Sequence, residues 1–165
     1  MGRFCYIRTM KILVISDTHG SFDRAFSAYS LSEPVDTIIH LGDGSADADQ
    51  LRKTVDVPVI NVAGNCDPGS NAPRERVLKC EGKRILMTHG DAYQVKSGLA
   101  KLIQRAEEVE ADAVLYGHTH KAFHEQISGL LLVNPGSLAN QSRHRSYAVL
   151  HITPEGITAR HHDID

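Results

Sequence analysis

The chain has 165 residues, 41% of them hydrophobic and 23% charged, a size and balance that allow one domain with a real core and no disulfide support. The net charge of −2 leaves no electrostatic footprint for nucleic acid, and the 5% aromatic content, without tryptophan, argues against a stacking platform for bases or sugars. No apolar run approaches the ~20 residues needed to cross a bilayer, and Cys5, Cys66 and Cys80 fit neither a disulfide framework nor a zinc knuckle; a reducing, cytoplasmic setting suits that usage.

Residues 1–9 have no long apolar segment and no small-residue cleavage site, so they do not read as a secretory signal. They are expected to form an N-terminal extension, disordered or strand-like, ahead of Met10, with residues 10–165 as a single domain. The first predicted strand, 11–16, leads through Asp17-Thr-His-Gly20 into a helix over 21–32, where Phe22, Ala25, Phe26 and Tyr29 recur at helical spacing, Ser21 stands at the N-cap and Pro34 ends the run. A strand at 36–41, a helix at 46–54 and a strand at 58–63 follow, a βαβ rhythm that favours parallel strands.

Residues 64–73, rich in glycine and proline, read as a long loop, a length usually kept for function. Strands at 76–80 and 84–88 flank the turn Glu81-Gly-Lys83, and a helix is predicted over 95–109 from Val95, Leu99, Leu102, Ile103, Ala106 and Val109. The last third is β-rich, with strands at 112–116, 122–127, 130–134, 146–152 and 156–162. The pattern predicts two packed sheets with helices outside.

Metal-loving side chains follow five of these strands: Asp17 and His19, Asp43, Asn65, His89, and His118 with His120. Each has a plainer reading alone. Asp17 can cap a helix, Asp43 can make an Asp-Gly turn, Asn65 can sit in a turn, and a single histidine is most often a packed core residue. Their joint placement is what tells, because ligands bind beyond the carboxyl ends of strands in α/β sheets. Seven ligands are too many for one ion and suit two. Of the remaining histidines, His144, His161 and His162 sit in polar surroundings and are expected to be solvated.

These blocks, Asp17-x-His19, Gly42-Asp43, Gly64-Asn65, His89 and Gly117-His118-x-His120, resemble the calcineurin-like metallophosphoesterases. The resemblance runs from Met10 onward, and the small size and Asn134-Pro-Gly-Ser137 are similar to the compact YfcE-like phosphodiesterase branch. It implies a four-layer α/β/β/α sandwich of two mixed sheets flanked by helices. It also implies two divalent ions, one held by Asp17, His19, Asp43 and His120 and the other by Asp43, Asn65, His89 and His118. Manganese is the expected assay metal, with iron, zinc, nickel or cobalt also suited to the donor set. The implied reaction is hydrolysis of a small phosphodiester by a hydroxide bridging the ions, with Asp43, Asn65 and His89 in the catalytic set.

Larger relatives place a histidine after the motif asparagine; this chain has Cys66 and then Asp67. Cys66, Asp67 and Arg143 are the candidate substrate contacts, while Asn134 and Ser137 are expected to shape their turn. Two rival readings exist: a non-catalytic scaffold on the same fold, as the retromer subunit it resembles, and a nucleotide-binding regulatory module. Compact relatives often self-associate, so a homo-oligomer is also expected.

Overall fold

In strand β1 (Met10–Ile15), Ile12 and Val14 face one side and Leu13 and Ile15 the other, yet all four are fully buried. A strand buried on both faces reads as an unbroken apolar run, and it must lie between two layers. Ile12 and Val14 pack with Ile85, Met87, Leu115 and Val133 of a second sheet, while Leu13 and Ile15 pack with Ala25, Ala28, Ala48 and Leu51 of two helices. The computed structural model describes residues 8–165; residues 1–7, and with them most of the expected N-terminal extension, lie outside the described residues.

The remaining elements run α1 (Phe22–Ser32), β2 (Thr37–His40), α2 (Ser45–Thr54), β3 (Val59–Asn61), β4 (Glu75–Cys80), β5 (Lys83–Thr88), α3 (Ala100–Glu108), β6 (Ala113–Leu115), β7 (Ala122–Ile127), β8 (Leu130–Pro135), β9 (Ser146–Thr153) and β10 (Gly156–Asp163). They form two five-stranded mixed sheets, β10-β9-β1-β2-β3 and β4-β5-β6-β8-β7. Strands β1, β2 and β3 are mutually parallel, as are β5, β6 and β8, so the loops that follow them leave each sheet at its carboxyl end. Leu86, Val114 and Leu132 on the far face of the second sheet pack against Leu102 and Ala106 of α3. The layers are therefore α/β/β/α, as expected.

Two features differ from the sequence reading. The predicted helix over 95–109 begins only at Ala100, because a short 3₁₀ turn at Asp91–Tyr93 comes first and Gln94 (φ 54°) and Gly98 (φ 144°) take left-handed backbone that no helix tolerates. Val95 and Leu99 still reach the α3 core, so the apolar spacing there reflects burial without helix. Ser21 occupies the N-cap of α1 but makes no capping hydrogen bond, and its Oγ is buried without a partner. Two of the three tight hairpins, at Glu81-Gly82 and Ser128-Gly129, place two successive residues at positive φ, which matches the twist of the flanking strands, while the third, between Thr153 and Gly156, does without it.

Leu115 lies fully buried between the sheets. Leu115→Ala is expected to cost about 2–5 kcal/mol in equilibrium urea unfolding, while Leu31→Ser, at a side chain 69% exposed, should stay within about 0.5 kcal/mol.

Candidate metal centre

The loops that follow β1, β2, β5 and β6 converge at one rim. Asp17 N–H donates to Gly42 O (3.0 Å), His19 N–H to Asp43 O (3.0 Å) and Gly117 N–H to His89 O (2.9 Å), so neighbouring loops are pinned within each sheet. Between the sheets, His118 N–H donates to Asp17 Oδ2 (3.1 Å) and the His89 ring to Leu41 O (2.8 Å). Nine described non-glycine residues have positive φ, and five of them are Asp17, His19, Asp43, His118 and His120. Such backbone costs on the order of 1–3 kcal/mol per residue and persists only where the surroundings over-determine it.

Six of the seven expected ligands come together. Around Asp17 Oδ1 stand the Nε2 atoms of His120 (3.0 Å), His19 (3.8 Å) and His89 (3.9 Å). Asp43 Oδ2 lies 3.2 Å from His89 Nε2 and 3.8 Å from His19 Nε2, and His118 Nδ1 lies 3.2 Å from His89 Nε2. Three groups of donor atoms could each hold a metal ion: Asp17, His19 and His120; Asp43, His89 and His118; and His19, Asp43 and Cys66. Asn65 is exposed, with its amide nitrogen 3.5 Å from Cys66 Sγ; of its two neighbours, Cys66 N–H donates to Asp43 and Gly64 N–H to Asp67.

The donor set fits a divalent transition metal on its own terms. Asp17 Oδ1 is buried with no hydrogen-bond partner, and a carboxylate oxygen left so in a dry site calls for a cation. The Leu41 carbonyl can only accept, so His89 carries a proton on Nδ1, which leaves Nε2, on the side of Asp43, as the ring atom available to a metal. Burial pushes the His89 pKa down, but Asp43 and Asp17 outweigh it and raise it overall. Burial likewise opposes ionisation of the two aspartates, yet His120 and His89 beside Asp17, and His89 and the Cys66 N–H beside Asp43, hold both carboxyls below their usual range.

Backbone donors fix these carboxylates. Cys66 N–H donates to Asp43 Oδ1 (2.8 Å), leaving Oδ2 for the histidines. A side chain at Gly64 would overlap Asp43 Oδ1 and bring its Cβ within 2.7 Å of Asp43 N, so glycine is the residue this approach admits. Asp67 accepts four backbone N–H groups, from Asp43 (2.7 Å) and Gly64 (2.8 Å) on Oδ2 and from Gly44 (3.0 Å) and Ser45 (2.9 Å) on Oδ1. Both oxygens are committed, which places Asp67 as the clamp between two motif loops, where the sequence reading had set it among the substrate contacts.

Sequence reasoning missed a buried relay. Gly42 N–H donates to His40 Nδ1 (3.1 Å), so the His40 proton sits on Nε2 and points at Thr18 Oγ1 (2.9 Å), which in turn donates to Asp47, as does Gly20 N–H (2.9 Å). Burial lowers the His40 pKa to about 4, keeping it neutral. The one available signal was His40 itself, a polar residue inside the apolar run Thr37-Ile-Ile-His-Leu41. Asn134 and Ser137 shape loops as expected: Asn134 Nδ2 donates to Gly117 O (3.1 Å) and Thr119 Oγ1 (3.0 Å), and Ser137 Oγ to Asp17 O (3.0 Å). His161 departs from the solvated reading, since it is half-buried, its Nε2 lies 2.7 Å from Asn134 O and its ring stacks on His124. Arg143 is exposed and shares with His120 the wall of a cavity of about 290 Å³.

Residues 10–155 match the family model of the calcineurin-like phosphoesterase superfamily domain. This chain belongs to that family. It is 36% identical to the probable metallophosphoesterase YsnB of Bacillus subtilis over 93% of this chain and 91% of that protein, and 30% identical to the phosphodiesterase YfcE of Escherichia coli over 79% and 80%. The structure also superposes on Vps29 of Entamoeba histolytica, a crystal structure complexed with zinc, with a TM-score of 0.72 at 22% identity, covering 94% of this chain and 100% of that one. The last likeness concerns the fold alone. The family is one of phosphoesterases, the relatives bear the names metallophosphoesterase and phosphodiesterase, and this chain carries groups of residues that could hold a metal ion.

The clamp at Asp67 leads to an expected outcome. Asp67→Ala should lower stability by about 2–4 kcal/mol, because four N–H groups lose an anionic acceptor, and weaken metal affinity roughly 10- to 100-fold. Asp67→Asn, which keeps one acceptor oxygen, should fall between that variant and wild type in both thermal denaturation and metal titration.

Proposed function

We propose that this protein is a phosphodiesterase that works with two divalent ions sharing Asp43. The observation that carries this reading is the position of the Asp43 carboxylate between two imidazole groups, with Oδ2 3.2 Å from His89 Nε2 on one side and 3.8 Å from His19 Nε2 on the other. Asp17, His19, Asp43 and His120 would hold one ion and Asp43, Asn65, His89 and His118 the other. When bound, the ions supply positive charge to the phosphoryl oxygens and acidify the attacking water. Manganese is the ion to test first; iron, zinc, nickel and cobalt suit the same donors.

The protein's own residues prepare this chemistry. Cys66 N–H fixes which oxygen of Asp43 faces the histidines, and Leu41 O fixes the tautomer of His89. Arg143 stands at the exposed edge beside His120, where a guanidinium suits a phosphate oxygen. Burial, together with the negative charge of Asp43, pushes the Cys66 thiol up, so it stays protonated at neutral pH and is a weak proton donor for a departing alkoxide. Substrates with acidic leaving groups, such as aryl phosphodiesters, therefore suit the site better than alkyl phosphomonoesters. The scaffold reading draws on the likeness to Vps29 and has no use for seven candidate ligands, five of them held in strained backbone.

With added manganese, turnover of an aryl phosphodiester is expected, and Asp43→Asn should reduce it at least about 100-fold by removing the shared carboxylate. Absence of wild-type turnover with every divalent ion tested would leave the scaffold reading in its place. Cys66→Ser should leave kcat/KM for the aryl diester within about twofold, since an acidic leaving group needs little proton donation. A large loss would assign the thiol a direct part. Hydrolysis of an alkyl phosphomonoester at a rate equal to the aryl diester would contradict the leaving-group argument.

A further inference from the structure

Two cavities lie along the segment that follows Ser137. One, of about 470 Å³, begins at Gly20, next to His19; the other, of about 290 Å³, has His120 in its wall. The segment after Ser137 serves both, giving Asn140 to the first and Gln141, Ser142, Arg143 and His144 to the second. In the larger cavity the cation is already engaged, because Arg24 donates to Asn140 Oδ1 and to the Asp165 carbonyl (3.1 Å), and Asp23 stands beside it. Arg74, near the site on another side, is likewise occupied by Asp91 and Gly64 O (2.8 Å).

The smaller cavity differs in charge. Lys121, Arg143 and His144 line it, no carboxylate does, and among the described residues neither Lys121 nor Arg143 forms an ion pair. The backbone beneath these cations is braced. Arg145 donates to the carbonyls of Asn140 (3.2 Å) and Ser142 (2.8 Å), and Ser142 Oγ donates to Ser137 Oγ (2.8 Å), which itself holds the Asp17 carbonyl. Lys121 N–H donates to Thr119 Oγ1 (3.2 Å), which Asn134 also holds. Two uncompensated cations thus stand on backbone fixed relative to His120, one of the expected ligands.

We propose that this cavity receives a second phosphoryl group carried on one arm of the substrate, so that the preferred substrate is a phosphodiester bearing an additional phosphate. Lys121 and His144 then determine specificity, and Arg143 faces both the ester phosphate and the added anion. The inference rests on the phosphodiesterase reading for the ester itself; the cation pair supplies the rest.

The test uses two p-nitrophenyl phosphodiesters identical except for the second arm, ethyl in one and 2-phosphonoethyl in the other, with the manganese-loaded protein. The phosphonate arm should lower KM roughly three- to tenfold, and the advantage should shrink as salt is raised from 20 to about 500 mM. Lys121→Gln should bring the ratio of the two KM values close to one, and Lys121→Arg should preserve it. Calorimetric affinities of the same two compounds should show the same ratio. Equal affinities, or a ratio untouched by Lys121→Gln, overturn the inference whether or not turnover occurs. A preserved affinity ratio without any hydrolysis upholds the anion site and overturns the hydrolase reading alone.

Discussion

Asp17 and Asp43 are carboxylates buried at the junction of two sheets, and they impose a charge that the surrounding protein only partly answers. Asp17 Oδ1 accepts no hydrogen bond, although three imidazole Nε2 atoms lie within 3.9 Å of it. A buried anion of that kind is costly unless a cation or protonated partners balance it. The architecture of the rim follows from meeting this demand: histidines arrive from both sheets, and the backbone between them is bent to let them face one point.

That bending has its own cost, and the fold spreads it over many small restraints. Five of the expected ligands adopt positive φ. What keeps them there is a set of polar clamps beneath the surface. Asp67 ties the loops after β2 and β3, the His40–Thr18–Asp47 relay ties the loop after β1 to the start of α2, Asn134 ties the end of β8 to the loop after β6, and Ser137 ties the segment after β8 to the loop after β1. Each clamp reaches at least one backbone group, and the side-chain links among them join short or buried side chains, so the geometry is held without the freedom of long side chains. Preorganisation of this kind is what a metal site needs if its donors are to converge without a large ordering penalty on binding.

The same clamps shape the approach to the site. The segment after β8 is held by Ser137 and Arg145, which leaves the side chains of Gln141, Arg143 and His144 to line a wall beside His120. Sequence differences in this segment can therefore alter what binds without disturbing the donors, because the anchors and the contacting side chains are different residues on one loop.

The apolar runs determined the strands, since a segment buried on both faces has little choice of conformation, and the blocks that follow those runs named all seven expected ligands. The hairpin turn at Glu81-Gly-Lys83 was equally plain from glycine placement. Other features could not be read along the chain. The helix expected over 95–109 starts at Ala100 because burial of Val95 and Leu99 mimics helical spacing, while left-handed Gln94 and Gly98 decide the backbone. Asp67 looked like a substrate contact because it neighbours Cys66, and only the meeting of two loops showed its oxygens occupied by four N–H groups. His40 and His161 gave no clear signal for the same reason: their partners are 22 and 27 residues away in sequence. Local sequence determined which residues could carry charge to the strand ends; the packing of the two sheets decided which of them share a partner, because hydrogen bonds and burial depend on distance in space.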